Sequence, residues 1–179
     1  ALVRTFVANR AAQGAIAAWT EWMRNVPALA HLFVLYFGLA SIGIRLSPVV
    51  AACLGLGLVG AAVLCDIFTA GLRSLHTGQR EAALAVGLKP SQVLRFVLLP
   101  QTLRLTLPSL GNYASQLIKD TSIASAIAVP EIMFYARNLV TSTFETTLIY
   151  LGAILLYAAI VLPVTWAFAG AERRLGLSR

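Results

Sequence analysis

Four long apolar segments constrain this chain more than any other feature of its sequence. They run over residues 27–44, 48–72, 105–129 and 146–170. A helix needs about 20 predominantly apolar residues to cross the hydrocarbon core of a bilayer. The first segment is at the short limit of that length, and the other three reach it. With 59% hydrophobic and only 12% charged residues, the sequence predicts an all-α, polytopic membrane helix bundle over residues 27–179.

Positive charge is distributed unevenly along the chain, and this distribution predicts an orientation. Eleven of the 14 Lys and Arg residues fall in residues 1–25, 72–104 and 171–179, which share one side if each segment crosses once. Cytoplasmic flanks of membrane helices carry an excess of Lys and Arg. These regions, including the C-terminus, are therefore predicted to be cytoplasmic, and the net charge of +7 does not indicate nucleic-acid binding. Loops on the opposite side hold Arg45 and Arg137.

The N-terminal segment, residues 1–26, is predicted to lie in the cytoplasm or at the membrane interface. Residues 1–10 are typical of the cytoplasmic end of a helix, so we expect at least one further span before them. Residues 11–26 are amphipathic and carry Trp19 near Arg24, as an interfacial helix does. A short cytoplasmic connector is the alternative.

The third apolar segment is unusual because its second half is polar. It contains the consecutive residues Lys119, Asp120, Thr121 and Ser122. A charged side chain in hydrocarbon costs at least about 2.5 kcal/mol. Neighbouring helix positions point about 100° apart, so Lys119 and Asp120 are badly placed to neutralise each other. The run is predicted to face the bundle interior or an aqueous path, as part of a pathway or as a structural network that holds a helix break.

The loop over residues 73–104 is predicted to form two short helices. The first covers residues 81–86 and ends at Gly87, because glycine favours the backbone conformation that terminates helices. The second covers residues 91–99 and is predicted to stop at Pro100. Two partly apolar helices on a cytoplasmic loop indicate either a docking surface for a soluble partner or a helix pair that caps the bundle.

The residue order in this loop resembles the EAA signature of bacterial ABC importer permeases. Glu81-Ala82-Ala83 is followed after three residues by Gly87, and after eleven more by Leu99-Pro100. Other stretches resemble the polar amino-acid branch of that family, the histidine, glutamine, glutamate, arginine and opine type. They are LSP at 46–48, DIFTAGLRSL at 66–75, LPQTLRLTLPSLGN at 99–112 and LIKDTSIASAIAVPEI at 117–132.

The resemblance implies the type I ABC importer permease fold with cytoplasmic coupling helices. It implies a multi-pass subunit of the bacterial inner membrane that translocates a polar amino acid. The implied partners are membrane lipid, an ATP-binding subunit, a second permease subunit that is identical or related, and a periplasmic or tethered substrate-binding protein.

The resemblance also implies roles for individual residues. Coupling to the ATPase is expected from Glu81, Ala82, Ala83 and Gly87. The translocation pathway is expected to include Asp66, Lys119, Asp120, Thr121 and Ser122. The chain has no glycine-rich phosphate-binding loop, so ATP is expected to bind to the partner and this chain is not expected to be an enzyme. No cofactor, metal site or catalytic residue is predicted.

An alternative interpretation is a proton- or ion-coupled secondary transporter or channel, with Asp66, Lys119 and Asp120 as a relay. His31 would then carry protons, or else it is a satisfied or interfacial histidine. Inverted repeats would favour this alternative, and the sequence shows none. A membrane enzyme would need clustered ionisable residues, which two His and seven scattered acids do not supply.

Overall fold

The computed structural model describes residues 9–175, and this part of the chain is helical without a β-strand. The helices in chain order are α1 (Arg10–Asn25), α2 (Ala28–Ser41), α3 (Pro48–Arg73), α4 (Thr77–Ala85), α5 (Pro90–Ile127), α6 (Ile132–Thr143) and α7 (Thr146–Arg174). Helix α2 contains a π-helical turn at Val34–Gly38, and α5 contains one at Val93–Leu98 and ends as a 3₁₀ helix at Thr121–Ile127. The predicted all-α architecture is confirmed. Part of the predicted N-terminal segment, residues 1–8, lies outside the described residues.

Two of these helices, α3 and α7, are each long and apolar enough to cross a membrane. The number rises to four if each of two bent helix pairs forms one span. The first pair is α1 with α2, which meet at a 99° bend, and the second is α5 with α6, which meet at 50°. Helices α3 and α7 coincide closely with the apolar segments 48–72 and 146–170.

Helices α3 and α5 approach each other closely because glycines line the contact. A Cβ atom added to Gly60 would lie 2.7 Å from the Tyr113 hydroxyl oxygen, and one added to Gly71 would lie 2.3 Å from Thr106 Cγ2. The later residue of α3 therefore meets the earlier residue of α5, so the two helices are antiparallel. Small residues at such positions let helix backbones approach in a lipid environment.

Contacts between α5 and α7 also pair later residues of one helix with earlier residues of the other, so these two helices are antiparallel as well. The Ser115 and Thr165 hydroxyls are 3.0 Å apart, and a Cβ added to Gly111 would lie 2.8 Å from Phe168 Cβ. It follows that the C-terminal ends of α3 and α7 and the start of α5 share one end of the bundle with α4. The turns after α2 and α6 lie at the other end.

The best-buried apolar cluster lies where α2, α3 and the end of α5 meet. Leu32 of α2 is fully buried there against Ala51 and Ala52 of α3 and against Ala124 and Ile127 of the 3₁₀ helix. In a lipid environment this contact is stabilised by close packing of the leucine against small alanine side chains. This cluster packs the 3₁₀ helix, which contains the last two residues of the polar run at 119–122, against α2 and α3.

The prediction that Pro100 stops a helix is wrong, because α5 continues through it from Pro90 to Ile127. Proline has no amide hydrogen to donate and its ring crowds the preceding turn. The π-helical turn directly before it widens the backbone, and the Leu99 amide donates to the Leu94 carbonyl five residues earlier. Single π-helical turns occur inside longer α-helices, and they are among the places where a helix departs from regular geometry. Helix α5 therefore runs from the loop into the bundle without a break.

The connection in which Arg137 was predicted to lie contains a short helix, α6, over residues 132–143. The chain leaves α5 at Ala128, which has a left-handed backbone with φ of +62°, and Glu131 then caps the start of α6. The Arg137 side chain donates to the Ser125 carbonyl oxygen at 2.8 Å and so binds α6 back to the 3₁₀ helix.

Candidate coupling surface and translocation path

Helix α4 is a short helix with well-defined caps at both ends. At its start, the His76 ring nitrogen Nδ1 accepts a hydrogen bond from the Gly78 amide at 3.1 Å. At its end, the Gly87 amide donates to the Leu84 carbonyl at 2.9 Å and the Leu88 amide donates to the Ala83 carbonyl at 3.2 Å. This bonding pattern is a Schellman motif. It requires the left-handed backbone that Gly87 adopts, with φ of +88°.

The predicted coupling residues point in two directions. Glu81, Ala82 and Gly87 are exposed, whereas Ala83 is only 7% exposed and packs against Leu72, Val93 and Leu98. The burial of Ala83 does not fit direct contact with a partner and instead fastens α4 to the bundle. Glu81, Ala82 and Gly87 remain available for docking.

A second contact binds α4 to α5, and a small groove lies between the two helices. The Gln101 side-chain amide donates to the Gln79 side-chain oxygen at 2.8 Å. The groove has a volume of about 260 Å³, and its lining includes Arg80, Leu84 and Leu94. Exposed apolar Val86 lies beside Gly87. The end of the bundle that carries α4 thus presents a fixed helix, an acidic residue and a mixed apolar and basic groove.

The polar run predicted for the pathway lies near the middle of the bundle. Ser115 contacts Thr165, so Lys119, one turn later, lies level with the middle of α7. The Lys119 side chain is exposed and has no hydrogen bond or ion pair within residues 9–175. Asp120 accepts from the Gln116 side-chain nitrogen at 2.7 Å, so Lys119 and Asp120 do not pair with each other.

Thr121 and Ser122, the last two residues of the run, begin the 3₁₀ helix. The Thr121 hydroxyl donates to the Ile118 carbonyl at 2.6 Å. Thr121 also lines a groove of about 550 Å³ between α3 and α5, together with Cys53, Tyr113 and Glu131. This groove is mostly apolar, with the threonine, tyrosine and glutamate as its polar groups.

Asp66 does not join the polar run. It forms an ion pair with Arg24 of α1, which binds α1 to α3. Gly60 faces Tyr113 and Gly71 faces Thr106, so Asp66 lies level with residues 106–113. That level is at least about 10 Å along the helix axis from Asp120.

His31 also lies apart from the polar run. Its Nδ1 atom is 3.3 Å from the Pro27 carbonyl oxygen, and its buried Nε2 atom has no hydrogen bond within the described residues. Within the described part of the chain, no three His, Cys, Asp or Glu side chains are grouped so as to hold a metal ion.

Sequence reasoning missed the role of Glu131 and Tyr157. The Tyr157 hydroxyl of α7 donates to Glu131 Oε2 at 2.7 Å, and the Glu131 carboxylate also accepts the first amides of α6. An acidic residue directly before an apolar helical run is a recognisable N-cap signal. The partner Tyr157 is 26 residues away, and no local pattern predicts that contact.

An antiparallel helix bundle with two clear spans, a polar run at its middle level and a capped helix at its basic end is typical of a polytopic membrane protein. The family profile described as "Binding-protein-dependent transport system inner membrane component" matches residues 1–177, and the chain belongs to this family. This finding confirms the resemblance on which the sequence-based prediction rests.

Relatives of known name agree with this assignment. The chain is 40% identical over 142 residues to the "Probable amino-acid ABC transporter permease protein YckA" of Bacillus subtilis, covering 79% of this chain and 63% of YckA. It is 33% identical over 158 residues to the "Probable glutamine ABC transporter permease protein GlnM" of the same organism, covering 88% of this chain and 73% of GlnM. The chain thus matches between three fifths and three quarters of the length of these relatives.

Solved structures confirm the type I ABC importer permease fold. A crystal structure of an amino acid ABC transporter with histidines superposes with a TM-score of 0.89 at 25% identity, covering 97% of this chain and 80% of that one. An inward-facing structure of the MetNI methionine ABC transporter superposes with a TM-score of 0.81 at 20% identity, covering 99% of this chain and 82% of that one. The second likeness concerns the fold alone.

Proposed function

We propose that this chain is the permease subunit of an ATP-driven ABC importer that carries a polar amino acid across the bacterial inner membrane. The observation that carries the proposal is α4. It is a separate, doubly capped helix at the basic end of the bundle, with Glu81, Ala82 and Gly87 exposed. A transport bundle without its own phosphate-binding loop needs such a surface to receive work from an ATPase.

The contacts of α4 suggest how that work reaches the bundle. Ala82 and Gly87 have almost no side chain, so a partner surface can approach the α4 backbone closely, and Glu81 is placed to pair with a basic group there. Ala83 and the bond between Gln79 and Gln101 make α4 move together with α5. Helix α5 then continues unbroken to the polar run, so displacement at the loop reaches the middle of the bundle.

Lys119 supports an assembly of more than one permease subunit or an aqueous path. Its side chain is exposed at the middle level of the bundle, where facing lipid would cost at least about 2.5 kcal/mol. We therefore assign the Lys119 side to a second permease subunit, identical or related, or to the path itself. Asp120, Thr121 and Ser122 follow it as candidates for contact with the ammonium and carboxylate of an amino acid. Asp66 instead has a scaffold role, because Arg24 neutralises it.

The remaining parts of the proposal concern orientation and partners. The basic end, with α4 and the C-terminal end of α7, is assigned to the cytoplasm, where an ATP-binding subunit docks on α4. The family description supports a periplasmic or tethered binding protein that delivers the substrate, and the names of the relatives support an amino acid as that substrate. ATP is held by the partner, and this chain contributes no catalytic residue.

A secondary transporter is the other candidate, and the geometry gives it little support. Its proposed relay requires Asp66, Lys119 and Asp120 to exchange protons or ions. Asp66 is paired with Arg24 and separated by at least about 10 Å along the axis from Asp120.

Purification of the complex tests the proposed function. The permease is expressed together with an ATP-binding subunit and a substrate-binding protein whose genes lie next to its own. We expect the subunits to co-purify, and we expect substrate-loaded binding protein to stimulate ATP hydrolysis that the permease alone does not perform. Hydrolysis by the pure permease, or no association with any ATP-binding subunit, would contradict the proposal.

A further inference from the structure

One carboxylate organises the turn between α5 and α6, and neither the coupling surface nor the polar run explains it. Glu131 Oε2 accepts a hydrogen bond from the Met133 amide at 2.8 Å, and Oε1 accepts one from the Phe134 amide at 2.7 Å. These bonds satisfy amides that have no partner inside α6. Negative charge is also favourable at a helix N-terminus. Glu131 therefore moves with α6 as its cap.

The third bond to this carboxylate comes from a different helix. The Tyr157 hydroxyl of α7 donates to Oε2 at 2.7 Å, and it also lies close to the Ser122 side chain at the end of the polar run. Arg137 holds the opposite side of the turn through its bond to the Ser125 carbonyl. The end of α5, the start of α6 and the middle of α7 thus meet at Glu131.

The location of this junction ties it to transport. Tyr157 lies about 16 Å along α7 from its first residue, Thr146, which is deep within the span. An ionisable group at that depth needs partners, and the three donors supply them. Glu131 also lines two grooves, one of about 550 Å³ shared with Thr121 and one of about 540 Å³ between α6 and α7.

The three bonds differ in what a movement of helices would do to them. The two amide bonds stay with α6, because donor and acceptor belong to the same first turn. The bond from Tyr157 breaks as soon as α7 shifts against α6. A charged hydrogen bond of this kind contributes about 1.5–3 kcal/mol, which corresponds to about tenfold or more in an equilibrium.

We propose that Glu131 and Tyr157 form a latch that positions the polar run and the groove wall in one state of the transport cycle and opens in the other. The proposal rests on the transport function proposed above and adds two positioning residues to it. Neither residue needs to touch the substrate, because the latch acts through Ser122 and through the wall that Glu131 shares with Thr121.

Removing only the Tyr157 hydroxyl tests the latch in the complete transporter. We expect the complex with Tyr157→Phe to assemble normally. It is expected to transport about tenfold fewer substrate molecules per ATP hydrolysed, because the Tyr157–Glu131 hydrogen bond no longer favours one state of the transport cycle over the other. Tyr150→Phe is the matched control. Tyr150 lies seven residues earlier on the same face of α7, and its hydroxyl makes no hydrogen bond within residues 9–175.

A second measurement does not depend on transport. Cys53 is exposed and lines the same groove as Glu131, so its reaction rate with a thiol reagent reports access to that groove in a Cys65→Ser background. Tyr157→Phe is expected to change the Cys53 rate, because it frees the groove wall that carries Glu131, and Tyr150→Phe is expected to leave the rate unchanged. If the wild type carries no amino acid but this difference is found, the proposed function fails and the latch stands.

A double-variant experiment separates the latch from the helix cap. Glu131→Asp keeps a good N-cap for α6, but its shorter side chain withdraws the carboxylate from Tyr157. We expect Glu131→Asp to match Tyr157→Phe in both measurements, and the double variant to lose nothing further. If the loss of activity in the double variant equals the product of the losses in the two single variants, the two residues do not act through one shared hydrogen bond. An unchanged Cys53 rate in Tyr157→Phe would overturn the latch, whatever the uptake.

Discussion

Gly87 allows the docking role of α4 to be separated from the stability of α4. Its φ of +88° disfavours other residues, and a residue with a Cβ costs about 1–2 kcal/mol in that conformation. A Cβ added there meets no atom of this chain within 4 Å, so no steric clash adds to that cost. Asn and Asp enter the left-handed region more readily than other residues and have the same size. Gly87→Asn and Gly87→Asp therefore differ mainly in charge.

If α4 docks on an ATPase, the Gly87→Asp variant would place an unpaired carboxylate in the interface. Leaving a buried charge without a partner costs about 3–5 kcal/mol, which is more than about a hundredfold in binding. We expect Gly87→Asp to abolish ATP-driven uptake and to lose the ATP-binding subunit on purification, while Gly87→Asn is impaired far less. Both variants are expected to insert into the membrane and to elute normally in detergent gel filtration, because α4 lies at the end of the bundle.

Gly43 offers a matched control for this experiment. It has a φ of +90°, no neighbour within 4 Å of an added Cβ, and a position at the opposite end of the bundle. Gly43→Asp carries the same backbone cost and the same charge, so it is expected to keep the ATP-binding subunit. Normal uptake by Gly87→Asp, or equal loss of the ATP-binding subunit in both aspartate variants, would refute the docking role of α4.

Three further predictions address packing, the polar run and orientation. Gly71→Ala is expected to reduce the yield of folded subunit in gel filtration, because its Cβ would lie 2.3 Å from Thr106 Cγ2, whereas Gly170→Ala meets nothing within 4 Å and is expected to be harmless. Lys119→Ala is expected to lower the amount of assembled complex, whereas Asp120→Ala is expected to lower uptake while ATPase activity is retained. If both variants assemble and transport normally, both residues lie in water or among lipid headgroups. Cysteines at Gly78 and Ser142 in a cysteine-free background are expected to react with impermeant reagent from opposite sides, Gly78 from the cytoplasm, and reaction from one side would overturn the orientation.

The apolar segments that became α3 and α7, and the end of α4 at Gly87, were predictable because their signals are local. Segment length decides whether a helix can span, and α3 therefore begins at Pro48 as expected. Glu81 to Gly87 carries a helix former and a glycine terminator in sequence, and α4 ends in the Schellman motif at Gly87. In these places the backbone depends on residues only a few positions apart.

The errors arose where distant residues decide the structure. Pro100 is a strong local stop signal, but α5 absorbs it with a π-helical turn while packing against α3 and α7. Helix α6 was not predicted from the sequence, and its first amides are capped by the Glu131 carboxylate. The ion pair between Asp66 and Arg24, which lies 42 residues earlier, likewise has no local signal in the sequence.

Substrate uptake into proteoliposomes under two separate energy sources tests the central claim most directly. The complete transporter, with its ATP-binding subunit and binding protein, is reconstituted and offered several radiolabelled polar amino acids. We expect uptake that requires ATP on the side of α4 and that persists when an ionophore removes all ion gradients. Uptake driven by a proton or ion gradient without ATP, and abolished by the ionophore, would contradict ATP-driven import.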